Sequence, residues 1–267
     1  NIFGHFIEHF HRQVYGGIFD PISHLSNKNG FRKDVILALK KIKVPVLRWP
    51  GGCFASAYPW KKGVGNPRIP YYDKAWSVEE PNTFGTNEFI KFCHEIDAEP
   101  YICTNAGTGS PEEMSEWLEY CNLTKGEWAS LRRENGHSSP YSVKYWSIGN
   151  ENYGSHEMGA KTADEWARYV LESAKMMRRV DPEIELSVAS IPDINWNLKV
   201  LKEAGDLLNW ISIHGYWSGP NEVGDYESDY SSIMAKAFEP EYLIKKTEHI
   251  LGALGFLGKI KIAFDEW

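Results

Sequence analysis

Short β-rich runs alternate with amphipathic helical stretches along all 267 residues, and this alternation limits the fold more than any other feature. The strand candidates are residues 2–8, 44–49, 100–105, 143–150, 185–191, 210–216 and 259–266. Several are apolar nearly throughout (VPVLRW, ISIHGYW, KIKIAFDEW), as expected of parallel strands covered on both faces. Helical patterns fill the intervals at 31–41, 87–96, from Ser110-Pro111-Glu112-Glu113 onward, 162–180 and 242–254, with Pro111 suited to a first helical position. Strands alternating with helices imply a parallel sheet. Seven units without a reversal or a shift in composition favour one (β/α)8 barrel domain over residues 1–267. An open nucleotide-binding sheet would want a Gly-rich turn after its first strand, and G-x-G-x-x-G is missing there. Because the units stop at seven, the eighth strand and helix are expected to lie outside this sequence, leaving the barrel incomplete at its C-terminal side.

Composition narrows the partners. Lys and Arg total 29 against 36 Asp and Glu, a net charge of −7, and no basic run is sustained, so nucleic acid and anionic membrane are poor partners. No apolar run reaches the roughly 18 residues of a bilayer span. Cys53, Cys93, Cys103 and Cys121 lack metal-ligand spacing and read as reduced thiols. With no signal peptide visible, a cytoplasmic location is expected. The 11 Trp, 14 Tyr and 12 Phe suit sugar rings, but a large core uses the same residues.

Catalytic groups of such barrels sit at the carboxyl ends of strands. Those ends carry Glu8, Arg48, Asn105, Asn150-Glu151, His214 with Tyr216, and Asp265-Glu266. A polar side chain closing an apolar strand wants a cleft to face, and here this recurs at almost every end. The sharpest pair is Glu151 and Glu266, because glycoside hydrolysis needs two carboxyl groups flanking one bond. In retaining enzymes these stand about 5–5.5 Å apart. Asn150 is placed to hydrogen-bond a sugar 2-hydroxyl, and His214 and Tyr216 to hold the second carboxylate ionised. The acid of such a pair, Glu151, is expected to have a raised pKa.

The segments NIFGHFIEH (1–9), VYGGI (14–18), LRWPGGCF (47–54), VKYWSIGNEN (143–152) and FDEW (264–267) together resemble the α-L-arabinofuranosidases of glycoside hydrolase family 51. The likeness runs end to end, and GTGSPEE (107–113) and EYCN (119–122) extend it. It implies a retaining, cofactor-free and metal-free release of terminal arabinofuranosyl units from arabinoxylan- or arabinan-type polysaccharide. By that resemblance Glu151 is the general acid/base and Glu266 the nucleophile. Glu8, Arg48, Cys53, Asn150, His214 and Tyr216 then line the sugar pocket, with Trp49 and Trp217 as candidate cleft walls. The family also suggests a homo-oligomer and a C-terminal β-sandwich beyond the barrel. The sequence departs from the family pattern at Cys53, Ser56, Pro59, Ser147 and Tyr153, where many members carry Asn, Asp, His, Gly and Trp.

Three other readings compete. The same two glutamates would serve an endo-acting β-glucanase or xylanase, and a barrel holding them too loosely would only bind carbohydrate. His5-Phe6-Ile7-Glu8-His9 also fits the H-x-x-E-H pattern of a zinc peptidase, provided that His5 and His9 share one face of a helix.

Overall fold

A computed structural model describes residues 2–216 and 234–267. Seven parallel strands form one sheet: β1 (His5–Phe6), β2 (Val46–Trp49), β5 (Glu99–Thr104), β6 (Tyr145–Ile148), β7 (Glu185–Ala189), β8 (Trp210–His214) and β9 (Lys261–Glu266), in that spatial order. The sheet curls until its edge strands β1 and β9 approach, giving a nearly closed barrel. A small antiparallel hairpin, β3 (Tyr71–Asp73) and β4 (Val78–Glu80), lies outside the sheet, on the connection after β2.

Among the described residues the helices are α1 (Lys33–Ile42), α2 (Thr86–Ile96), α3 (Pro111–Asn122), α4 (Glu127–Glu134), α5 (Ala163–Val180), α6 (Ile194–Ala204) and α7 (Glu239–Ala253). Their ends follow local chemistry. Ser110 accepts the amide of Glu113 ahead of Pro111, and Thr162 with Glu165 makes a reciprocal capping box for α5, satisfying donors that a helix start leaves unpaired.

The first strand is shorter than the sequence suggests. Ile2 and Phe3 are exposed, and only His5 and Phe6 pair with Leu47 and Arg48. Residues 71–80, α4 and α6 have no counterpart among the sequence-derived elements: the strands at 71–80 are three residues long and α4 is mostly polar, whereas α6 buries Trp196, Val200, Leu201 and Ala204 at helical spacing and was legible in principle. Much of the aromatic content serves packing. Trp49, Trp60, Trp117, Trp146 and Trp166 are fully buried, with Trp60 stacked on Trp117 at 5.8 Å. Each takes on the order of 200 Å² out of water, roughly 5 kcal/mol gross.

Candidate active site

At the carboxyl ends of the strands, Arg48 on β2 is the hub. It is 2 % exposed. Its Nη1 donates to Glu266 Oε1 at 2.5 Å and its Nη2 to Asn150 Oδ1 at 2.7 Å, while Nε lies 3.6 Å from Asp265 Oδ2. Successive strand residues normally face opposite sides, yet Asp265 and Glu266 both turn toward Arg48. A bulge is the cause: Ile213 pairs with Phe264 and His214 with Glu266, so Asp265 is an extra residue on β9. Asp265 is further held by Ser212 Oγ at 2.7 Å and Tyr101 Oη at 3.0 Å. Tyr216, itself largely exposed, donates to Glu266 Oε2 at 2.7 Å.

Glu151 follows Asn150 on the loop after β6, with a φ of 45° that a side-chain-bearing residue adopts at a cost of about 1–3 kcal/mol. His214 sits between the acids. Its Nδ1 is 2.6 Å from Glu151 Oε1 and 3.5 Å from Glu266 Oε2, and its Nε2 is 3.3 Å from Asp265 Oδ1. One carboxylate oxygen of Glu151, one of Glu266 and a nitrogen of His214 all lie within 4.8 Å of each other. Burial works against a charged His214, but Glu266 and the other two carboxylates outweigh it and raise its pKa to about 10. Burial likewise pushes Glu151 up, and its bonds to His214 and His156 overcome that and bring it down to about 2. The sequence had pointed the other way. The expected raised pKa of Glu151 ignored two imidazoles, one of them His156, whose Nε2 is 2.7 Å from Glu151 Oε2.

Glu8, just beyond β1, accepts the amide of Phe54 at 2.8 Å and the Trp76 indole at 3.2 Å. Burial raises its pKa to about 7 despite those donors. The Gly51-Gly52 pair exists to admit it: a Cβ at Gly51 would stand 2.9 Å from the Glu8 carboxylate, and one at Gly52 closer still. Cys53 opens the short turn Cys53–Ala57 beyond them, half-buried and beside Glu157. Glu157 is buried and accepts Asn150 Nδ2 at 3.0 Å through Oε1.

The family model for the "Alpha-L-arabinofuranosidase 1 domain" matches residues 38–233, well over half of the chain. The chain belongs to this family. Similar members include the alpha-L-arabinofuranosidase C of Emericella nidulans, 45 % identical over 76 % of this chain and 41 % of its own length. The intracellular exo-alpha-(1->5)-L-arabinofuranosidase 1 of Bacillus subtilis is 37 % identical over 100 % of this chain and 55 % of its own. A crystal structure of the alpha-L-arabinofuranosidase from Thermotoga maritima with arabinose superposes with a TM-score of 0.92 at 45 % identity, covering 99 % of this chain and 54 % of that one. The chain thus spans about half the length of the relatives it matches, and the (β/α) barrel is the half they share.

Within this family framework the sequence-derived residues divide sharply. Glu8, Arg48, Cys53, Asn150, Glu151, His214, Tyr216 and Glu266 gather at one end of the barrel. Tyr216 holds Glu266, whereas His214 makes its shortest bond to Glu151 instead. Asn105 does not join them: its Oδ1 accepts the amides of Gly107, Thr108 and Gly109 and shapes its own loop. Trp49 is no cleft wall, since it is fully buried and its Nε1 donates to His9 Nε2 at 2.9 Å. Trp217 lies outside the described residues. The peptidase motif also loses its basis. His5 is in a two-residue strand and His9 in the turn after it, so no helix presents them together. Sequence reasoning missed His156, Glu157 and Trp76. The first two follow Glu151 closely on a strand-end loop, a signal within reach; Trp76, in the β3–β4 hairpin, had none.

Proposed function

We propose that this chain carries the catalytic barrel of a retaining α-L-arabinofuranosidase, with Glu266 as nucleophile and Glu151 as acid and then base. The observation carrying this reading is the approach of the two acids within 4.8 Å, close to the spacing of retaining enzymes and well short of the roughly 6.5–9.5 Å that leaves room for an inverting water. Arg48 and Tyr216 each occupy one oxygen of Glu266, keeping it aimed. Asn150, tied to Arg48 and Glu157, offers a fixed amide edge for a 2-hydroxyl, and Glu8 and Cys53 close the far side.

The low pKa of Glu151 defines where the acid's proton waits. In the resting chain it resides on His214, held there first of all by the charge of Glu266. As Glu266 attacks the anomeric carbon, that charge is consumed. His214 then yields its proton to Glu151, 2.6 Å away, and Glu151 passes it to the departing oxygen. In the second half, Glu151 takes a proton from the attacking water and the glycosyl–Glu266 bond breaks with net retention.

The substrates would be arabinofuranosyl-bearing glycans, as the names of the relatives suggest, with no organic cofactor and no nucleic acid partner. Four free thiols and the intracellular designation of the Bacillus relative support a cytoplasmic setting. No described helix is long and apolar enough to cross a membrane. The deciding experiment incubates the chain with aryl α-L-arabinofuranoside, aryl β-glucoside, aryl β-xyloside and soluble β-glucan. Release from the first alone is expected; release from β-glucan alone would transfer the two glutamates to an endo-acting enzyme.

A further inference from the structure

A second set of ligand-type atoms converges beside the two acids. Cys53, His156 and Glu157 each bring one such atom, a thiol sulfur, an imidazole nitrogen and a carboxylate oxygen, to within 4.8 Å of one another. Cys53 enters from the turn after β2, and His156 and Glu157 from the loop after β6, so the set is assembled by the barrel and not by a local motif. An independent feature marks it. Glu157 is only 5 % exposed; Asn150 holds its Oε1, its Oε2 lacks a well-formed hydrogen bond, and the Cys53 thiol is the weak donor beside the carboxylate. A buried carboxylate oxygen with no better donor than a thiol is under-satisfied, and a cation beside it would relieve that.

We propose that Cys53, His156 and Glu157 form a binding site for a divalent cation of the zinc class, with a fourth position open to water or a sugar hydroxyl. A sulfur, nitrogen and oxygen set suits zinc and is too soft and too small for calcium or magnesium. Around a tetrahedral ion such donors stand roughly 3.5 Å apart, a spacing that small side-chain movements from the present arrangement would reach. His156, with 58 % of its side chain exposed, has room to move. On binding, the Cys53 thiol releases its proton to solvent and the sulfur ligates as thiolate. Asn150, on the remaining oxygen of Glu157, is the outer partner that orients a ligating carboxylate.

Occupancy would reach the acid pair through His156, which is bonded to Glu151. A double positive charge there holds Glu151 ionised and unable to protonate a leaving group. Zinc therefore inhibits hydrolysis reversibly, most on glycosides with poor leaving groups. That consequence rests on the arabinofuranosidase reading, but the site itself does not, so the test reads metal binding directly.

The reduced, metal-stripped chain is titrated with Zn²⁺ against a chromophoric chelator, and separately with Co²⁺ while following the near-ultraviolet thiolate-to-metal band. One ion per chain and a cobalt–thiolate band are expected. Cys53→Ser and His156→Ala, each checked for an unchanged circular dichroism spectrum, should weaken zinc binding by more than about a hundredfold. Glu157→Gln should weaken it while keeping the buried shape. Glu266→Gln should bind zinc as before. The proposal is overturned if no stoichiometric ion binds. It is equally overturned if binding survives Cys53→Ser and His156→Ala, or disappears in Glu266→Gln, which would move the ion to Glu151, His214 and Glu266.

Discussion

Two buried histidines in this barrel each meet a carboxylate, and they do opposite things. His9 is stacked on Phe54 at 4.3 Å, accepts the Trp49 indole, and contacts Glu80 at 3.2 Å, while Tyr15 donates to the other oxygen of Glu80. One histidine contacts one acid there, with the buried Asp73 carboxylate close by, and aromatic rings seal much of the rest. His214 instead meets three acids, Glu151, Asp265 and Glu266, in a group whose buried cation is Arg48 and whose edge is the exposed Tyr216. Burial alone does not distinguish a histidine that packs the core from one in the candidate site. The difference is an excess of like charge held close beside an opening, which raises the pKa of His214 and lowers that of Glu151.

The comparison is broken most severely at Glu266. Glu266→Gln should lower kcat for an aryl α-L-arabinofuranoside by about 10⁴-fold or more, the scale of losing a covalent nucleophile, while the thermal transition moves little. Wild-type turnover in that variant would reduce the His214 cluster to an ordinary ion-pair network. Next in size is Glu151→Ala, expected to cost about 10²–10⁴-fold on poor leaving groups and much less on activated aryl glycosides, with azide restoring part of the rate. A uniform loss on all substrates would deny Glu151 its role as proton donor.

His9→Phe attacks the other side of the comparison. It strands the Trp49 indole and Glu80, so urea denaturation should show a loss of about 2–4 kcal/mol, with kcat of the folded fraction nearly unchanged. A large fall in kcat instead would mean that the two histidines are not separate in kind. The smallest effect concerns pH. Glu8 has a folded pKa of about 7, above its unfolded value of 4.5, so the folded state binds more protons between these values and stability declines as pH rises through them. Glu8→Gln should flatten that part of the stability profile. Glu151 has the reverse sign: its pKa of about 2 adds stability above pH 4.5 that fades as pH falls toward 2.

The strand ends were legible because an apolar run closed by Glu, Arg, Asn or His violates its own pattern, and the violation marks a site. The glycines before Cys53 were legible as a motif, though only the structure explains them, by the Glu8 carboxylate packed against their missing side chains. Trp49 misled because composition cannot separate a tryptophan on a cleft from one under it. His156 escaped notice because a histidine on a loop has no periodicity, and its bond to Glu151 depends on how that loop turns back.

Local chemistry by itself determined the order of strands and helices, the caps that begin α3 and α5, and which strands end in chemistry, since each depends on neighbours within a few residues. Only the curled sheet decided that Arg48 meets Glu266, 218 positions along the chain, and that the bulge at Asp265 turns two consecutive acids the same way. It also set the opposite pKa shifts of Glu151 and His214, because a pKa is set by charges within a few ångströms, and those come from strands far apart in sequence.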